Sequence, residues 1–295
     1  MSSAIGFIGL GVMGEPICRN LARKSGLPVT GFDQSDGPLE RLAGDGVDRA
    51  PSLAELARRC DVIFMALPSG KHVQAVCEGT NGLLSHVSPR HTVVDLGTSP
   101  IEVTRELAGR FAAIGADYAD APIARTRQAA EDGTLSVMVG ASEAVFSRLQ
   151  PLISNFATDI THCGPAGSGQ IVKILNNMVL METVVALSEA LETARRAGLE
   201  GKVLFETLAK GSADSFALRN HGMKAILPDT FPERAFSVEY ARKDLTYALD
   251  LARSVDIRLR GAELADKLLG DAIDEGNGHL YWPVIARILK AARAS

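Results

Sequence analysis

Tryptophan occurs once in this 295-residue chain, aromatic side chains make up 5% of it, and cysteine appears four times. Cys18, Cys60, Cys77 and Cys163 form no CxxC pair and keep no metal-ligand spacing to a histidine, so a disulfide scaffold is not indicated and a reducing, cytoplasmic compartment fits. His72, His86, His91, His162, His221 and His279 make no HxxxH or HExxH pattern, and no metal is expected. No long basic run occurs, and Lys+Arg 31 against Asp+Glu 35 leaves a formal charge of −4, which argues against nucleic acid or an anionic membrane as partner. The apolar stretch Ala4 to Ile8 follows no basic segment and is only strand length, so neither a signal peptide nor a membrane span is read there. Internal repeats and low-complexity segments are missing as well.

What is present is ordinary for a soluble globular protein, 46% hydrophobic and 22% charged residues, over a length that suits two domains. The first begins with a short apolar strand, Ala4 to Ile8, followed at once by Gly9-Leu10-Gly11-Val12-Met13-Gly14 and a helical stretch from Pro16 to Lys24. Between a strand and a helix, glycines permit a tight turn and let the backbone approach a pyrophosphate that the helix N-terminus stabilises. The next strand, Pro28 to Phe32, ends in Asp33, where a carboxylate would accept hydrogen bonds from an adenosine ribose diol. The same carboxylate would repel a 2′-phosphate, and no Arg or Lys follows before Arg41, so NAD(H) is preferred over NADP(H). Asp33 to Pro38 also reads as a surface turn in its own right.

The alternation continues through helix Ser52 to Arg59, strand Asp61 to Pro68, helix His72 to Cys77, strand Thr92 to Leu96, helix Glu102 to Ile114 and strand Asp117 to Asp120. Such βαβ order predicts an α/β fold, a Rossmann-type doubly wound and mainly parallel sheet that gathers ligand groups at the carboxyl ends of its strands, where Leu67, Pro68 and Thr98 lie. Strand Ser136 to Val139, helix Glu143 to Leu149 and a strand near Ile160 to Cys163 complete a first domain, residues 1–163. Then Gly164-Pro165-Ala166-Gly167-Ser168-Gly169 gives way to an apolar run free of Gly and Pro until Gly198, one long helix of roughly 40 Å leading out of that domain. Lys173, Asn176 and Asn177 stand on it at i, i+3 and i+4 and share a face. Segments Val203–Lys210, Ser215–Ala225, Val238–Val255, Gly261–Glu275 and Tyr281–Ala292 make residues 164–295 an all-α second domain.

These blocks together resemble the β-hydroxyacid dehydrogenase family, which includes 3-hydroxyisobutyrate dehydrogenase and tartronate semialdehyde reductase. The resemblance covers nearly the whole chain. It rests on the N-terminal glycine loop, Asp95-Leu96-Gly97-Thr98-Ser99-Pro100, Asp120-Ala121-Pro122 with Gly133-Thr134-Leu135, Gly167-x-Gly169-x-x-x-Lys173-x-x-Asn176-Asn177, and Lys243-Asp244-Leu245. It implies an NAD-dependent enzyme in which Lys173 is the catalytic acid/base, Asn177 with Asn176 orients the substrate, and Lys243 lies near the cofactor; Thr98, at its strand end, is a candidate contact for both substrate and cofactor. It further implies a long interdomain helix, an active site between the domains, and a homodimer or homotetramer. The chemistry agrees, because hydride transfer to a carbonyl carbon needs a proton donor on its oxygen, and a partly desolvated lysine can serve.

One block departs from the family. Where many members carry Ser-Gly-Gly after Asp-Ala-Pro, this chain has Ala124-Arg125-Thr126. A guanidinium fork and a hydroxyl facing the substrate suit a sulfonate, carboxylate or phosphate, and the pair is similar to the branch that reduces 3-sulfolactaldehyde, as is Trp282. Tyr281 and Pro283, where the family usually has Asp and Ser, depart from it again. Two alternatives stand beside the sulfonate: succinic, tartronate or methylmalonate semialdehyde (3-hydroxyisobutyrate) as the carboxylate substrate, and a non-catalytic dinucleotide-binding protein.

Overall fold

The computed structural model describes residues 4–233 and 235–291. Its chain divides into two compact units that meet in sequence between Lys173 and Ile174. This places the division inside the long helix rather than ahead of it at residue 164.

In the first unit, strands β1 (Ile5–Ile8), β2 (Val29–Phe32), β3 (Val47–Arg49), β4 (Val62–Met65), β5 (Thr92–Asp95) and β6 (Asp117–Asp120) run parallel in the order β3-β2-β1-β4-β5-β6. Beyond β6 the sheet continues through β8 (Leu135–Gly140), antiparallel to β6 and to the two-residue β7 (Ile123–Ala124), and β9 (Ala157–Gly164) pairs parallel with β8. The central strands are short, β-branched and apolar, and both faces are covered. Phe7, Phe64 and Val94 enter one buried cluster while their neighbours Ile8, Ile63, Met65 and Val93 enter another, as a strand with period 2 requires. Helices α1 (Gly14–Lys24), α2 (Asp36–Ala43), α3 (Leu53–Arg59), α4 (Gly70–Glu78), α5 (Ile101–Ala113), α6 (Arg127–Asp132) and α7 (Glu143–Ile153) make the connections. Ser52 caps α3 by accepting from Glu55 N, the bond its sequence spacing predicts.

Two stretches take up elements that their sequence does not announce. The turn expected over Asp33 to Pro38 is the entry to α2, because Ser35 and Asp36 are as favourable in a helix N-terminus as in a turn. The Ala124-Arg125-Thr126 block forms β7 and the cap of α6: Thr126 Oγ1 accepts from Ala129 N, and Gly133 ends the helix in the left-handed conformation.

Helix α8 (Ser168–Arg196) runs for 29 residues. By length and composition it could cross a membrane, yet Ile174, Met181, Val184, Leu187 and Leu191 are buried within the fold, the stripe expected of a core helix. The second unit continues with α9 (Gly201–Leu208), a π-helical segment Leu218–Ile226, α10 (Val238–Ser254), α11 (Arg260–Asp274), a 3₁₀ turn Trp282–Val284 and α12 (Ile285–Ala291). Among its described residues only isolated bridges, Glu233 with Leu280 and Ser237 with Tyr281, have strand pairing. The expected helix from Ser215 is wound as a π-helix, and that from Tyr281 starts as the 3₁₀ turn around Pro283; its expected end at Ala292 lies outside the described residues.

Candidate active site

Strand order reverses between β1 and β4, and the carboxyl ends there carry the glycine loop. Each glycine has a separate physical reason. A Cβ on Gly9, whose φ is +86°, would stand 2.5 Å from Ala66 O, and one on Gly14 would stand 1.9 Å from Gly9 O, so Gly9 is fixed by the segment that follows β4 and Gly14 by the close approach of α1 to the glycine loop. A Cβ on Gly11 would meet nothing within 4 Å. Gly11 is therefore not demanded by packing; it leaves open backbone in front of α1, whose N-cap Met13 makes no side-chain cap. In the first turn Glu15 N already donates to Gly11 O at 3.0 Å and Pro16 has no N–H, so it is the open glycine backbone just ahead of the helix that fits a pyrophosphate. Val12 is exposed and Met13 half-buried in the same turn.

Asp33 follows β2 directly, as its position predicts, and is held by the glycine loop and by its own turn: Leu10 N donates to Oδ2 at 2.6 Å and Ser35 N to Oδ1 at 2.8 Å. Two arginines that follow are committed elsewhere, Arg41 to Glu15 at 2.7 Å and Arg49 to Asp36 at 2.5 Å. Leu67 and Pro68 follow β4, and Leu67 stands between Gly9 and Gly97: its Cδ2 lies 3.0 Å from the Cβ position of the first and its carbonyl oxygen 2.9 Å from that of the second. Thr98, buried, belongs to the loop after β5, where Asp95 accepts from Gly97 N and from Ser99 Oγ, both at 2.8 Å. Gly9, Gly11, Asp33, Leu67 and Thr98 thus all follow the carboxyl ends of the neighbouring parallel strands β2, β1, β4 and β5.

Arg125 does not present a free guanidinium. Its NH1 donates to Thr134 O at 2.6 Å and to Thr158 Oγ1 at 3.0 Å, and its NH2 to Asp159 at 2.7 Å, all within the first unit. Its backbone is left-handed, φ +87°, which explains why glycine suits this place in relatives of the Ser-Gly-Gly type. Thr126, expected to offer its hydroxyl to substrate, also caps α6 with it: Oγ1 accepts from Ala129 N at 3.3 Å, which uses one lone pair and not the O–H proton.

On α8, Lys173 is half-buried, Asn176 exposed and Asn177 buried. Asn177 turns into the second unit and donates through Nδ2 to Asp244 Oδ2 at 2.9 Å, while Asn176 Nδ2 donates to Asn177 Oδ1 at 3.3 Å. Asp244, 1% exposed, also takes Lys243 Nζ at 2.9 Å, and that ammonium lies 3.8 Å from the Tyr240 ring centroid. Lys243 is thus no free surface lysine: Asp244 joins it to the α8 amides. Sequence reasoning passed over Asp244 although it sits inside the Lys-Asp-Leu block. It also passed over Asp120 and Gln170, whose signals were the Asp-Ala-Pro and Gly-x-Gly-Gln neighbourhoods. Burial pushes the Asp120 carboxyl up to about 6 against the pull of the Gly167 and Gln170 amides.

Residues 4–164 match the family described as the NAD binding domain of 6-phosphogluconate dehydrogenase, and residues 167–284 that described as NAD-binding of NADP-dependent 3-hydroxyisobutyrate dehydrogenase. The chain is 35% identical to 2-(hydroxymethyl)glutarate dehydrogenase of Eubacterium barkeri, over 90% of this chain and 88% of the relative. It is 34% identical to 2-hydroxy-3-oxopropionate reductase of Escherichia coli K12, over 97% of both. The solved structure of Mycobacterium tuberculosis 3-hydroxyisobutyrate dehydrogenase with L-serine superposes with a TM-score of 0.87 at 28% identity, covering 99% of this chain and all of that one.

Proposed function

Because the chain belongs to the β-hydroxyacid dehydrogenase family and is an NAD-linked oxidoreductase, we propose that it interconverts a short aldehyde bearing an acid group and the matching primary hydroxy acid. The observation that carries this reading is the open backbone at Gly11 just ahead of α1, with Asp33 pinned alongside, in a chain that also sets Lys173 on α8. A bound nicotinamide dinucleotide would supply or take up the hydride. Gly9, Gly11, Val12, Met13 and Gly14 would cradle its pyrophosphate, Asp33 would accept from the ribose diol, Leu67 and Pro68 would flank it, and Lys243 would lie near it. Lys173 Nζ gives a proton to the carbonyl oxygen in reduction and takes it from the hydroxyl in oxidation. Asn176 and Thr98 orient the oxygen-bearing end, and Asn177 fixes Asn176.

A carboxylate is the acid group that we favour, since the named relatives act on carboxylic acids and the donors of Arg125 are occupied by Thr134, Thr158 and Asp159. A sulfonate, as in 3-sulfolactaldehyde, is the second reading, kept by the Arg125-Thr126 pair itself. NAD(H) is preferred over NADP(H) because Asp33 sets a negative charge where a 2′-phosphate would sit and the nearby Arg41 and Arg49 are paired. The exposed apolar stripe Val172, Leu175 and Val179 on α8 fits self-association as a dimer or tetramer.

The deciding experiment follows NADH oxidation, with NADPH in parallel, against succinic, tartronate and methylmalonate semialdehydes and 3-sulfolactaldehyde. Turnover is expected with NADH and a carboxylate. Lys173→Ala should keep NADH binding and lose roughly 10²-fold or more in kcat; near-normal turnover would remove the role given to Lys173. Tight NADH binding with no turnover of any aldehyde would favour a binding protein instead.

A further inference from the structure

Around the first turn of α8 lies a buried polar network that neither the hydride nor the proton step uses. Asp120, at the end of β6, accepts from Gly167 N at 2.6 Å and from Gln170 N at 2.8 Å. The Gln170 side chain faces the other way. Its Oε1 accepts from Ser99 N at 3.1 Å and its Nε2 donates to Gly97 O at 2.9 Å. Ser99 Oγ and Gly97 N in turn donate to Asp95 at the end of β5. Asp95, Ser99, Asp120 and Gln170 are all at most 1% exposed. Packing leaves little slack: a Cβ on Gly169 would stand 2.3 Å from Met138 O, and one on Gly140 would stand 2.4 Å from Asp120 Oδ1.

Capping of α8 needs Asp120 alone. Neither carboxamide bond of Gln170 serves the helix; both grip the backbone on either side of Thr98. Acceptor and donor are both demanded, so the orientation of the amide is fixed by its partners, and neither a carboxylate nor an apolar side chain can replace it. Gln170 lies three residues before Lys173, less than one turn along the same helix. We propose that Gln170, seated by Asp120, is a positioning residue that locks the Thr98 loop to the start of α8 and so sets the placement of Lys173 against the substrate oxygen. This rests on the role of Lys173 proposed above.

The test compares Gln170→Leu, Gln170→Glu and Lys173→Ala with the parent enzyme, using the panel aldehyde that turns over fastest. Each is followed by thermal melt, NADH titration, kcat and KM, and the primary isotope effect with 4-deuterated NADH. Misplacement by about 1 Å can cost up to about 10²-fold. The Gln170 variants are expected to bind NADH within a few-fold of the parent, to lose roughly 10-fold or more in kcat, and to show a larger isotope effect because chemistry becomes slower. A melting point that falls while kcat per folded enzyme and isotope effect stay unchanged would overturn the proposal and leave Gln170 a structural residue. Should Gln170→Leu fail to fold, Gln170→Glu and Ser99→Ala, which cuts the same chain at the Asp95 bond, carry the comparison. If Lys173→Ala keeps its turnover, the role of Lys173 falls first; if only Lys173→Ala is impaired, positioning by Gln170 falls alone.

Discussion

Gly9 and Gly11 stand two residues apart in one motif, yet only one of them is needed by the folded chain itself. A Cβ on Gly9 would be forced against Ala66 O at a φ of +86°, whereas one on Gly11 would project into open space. Gly11→Ala is therefore expected to melt within a few degrees of the parent while NADH affinity falls roughly 10-fold or more, since the added methyl occupies ground the pyrophosphate needs. Gly9→Ala should lower the melting point as well as the affinity. Parallel thermal melts and NADH fluorescence titrations check this, and an unaltered NADH affinity in Gly11→Ala would show that the pyrophosphate lies elsewhere. Arg125 poses a similar question. Its three hydrogen bonds are internal, so Arg125→Ala should leave kcat/KM for a carboxylate aldehyde within about threefold, because the lost contacts are exposed ones of modest worth. A selective loss with 3-sulfolactaldehyde would mean that Arg125 leaves Asp159 to meet a sulfonate.

At the scale of elements, what was legible in the sequence is what is local. The succession β1, glycine loop, α1, β2, Asp33 is written in consecutive residues, as is the polar face of α8, and the structure has them where the spacing puts them. Contacts that close over long separations leave no such mark. Asp120 meets Gly167 across 47 residues, Arg125 meets Asp159 across 34, and Asn177 meets Asp244 across 67. Residue type misled in places too: Asp36 and Pro38 suit a turn and a first helical turn equally, and a π-helical winding at Leu218–Ile226 has no apolar period of its own to announce it. The Asn177–Asp244–Lys243 chain joins α8 to α10 through a carboxylate that is 1% exposed. Asp244→Ala would take the carboxylate from a half-buried ammonium and a buried amide, so a loss of about 2 to 3 kcal/mol is expected, below the full cost of breaking a buried pair because Lys243 keeps some solvent and the Tyr240 ring. Urea unfolding measures it; a change under about 0.5 kcal/mol would mean that Asp244 contributes little to holding the two helices.

At the scale of the whole molecule, two buried titratable groups give the units opposite responses to acid. In the second unit His221, 7% exposed, is bonded through Nδ1 to Tyr281 OH at 2.5 Å and packs 5.4 Å from the Trp282 ring, and burial lowers its pKa to about 4. Between pH 4 and about 6.5 the unfolded chain binds a proton at this histidine that the folded chain refuses. Stability from this group is thus full above about pH 6.5 and lost as pH falls to 4, to an extent of about 3 kcal/mol. Asp120, raised from 3.8 to about 6, works the other way in the first unit: there the folded chain holds the proton, and stability falls as pH rises through that window. A global signal would blur the two. Trp282 is the sole tryptophan, fully buried beside His221, so its emission reads the second unit alone. Urea midpoints followed by that emission should fall from pH 7 to pH 4 in the parent and fall much less in His221→Gln, which keeps a hydrogen-bonding side chain for Tyr281 but cannot take up a proton. Equal slopes in both proteins would assign the acid sensitivity of the helical unit to its surface carboxylates rather than to the buried imidazole.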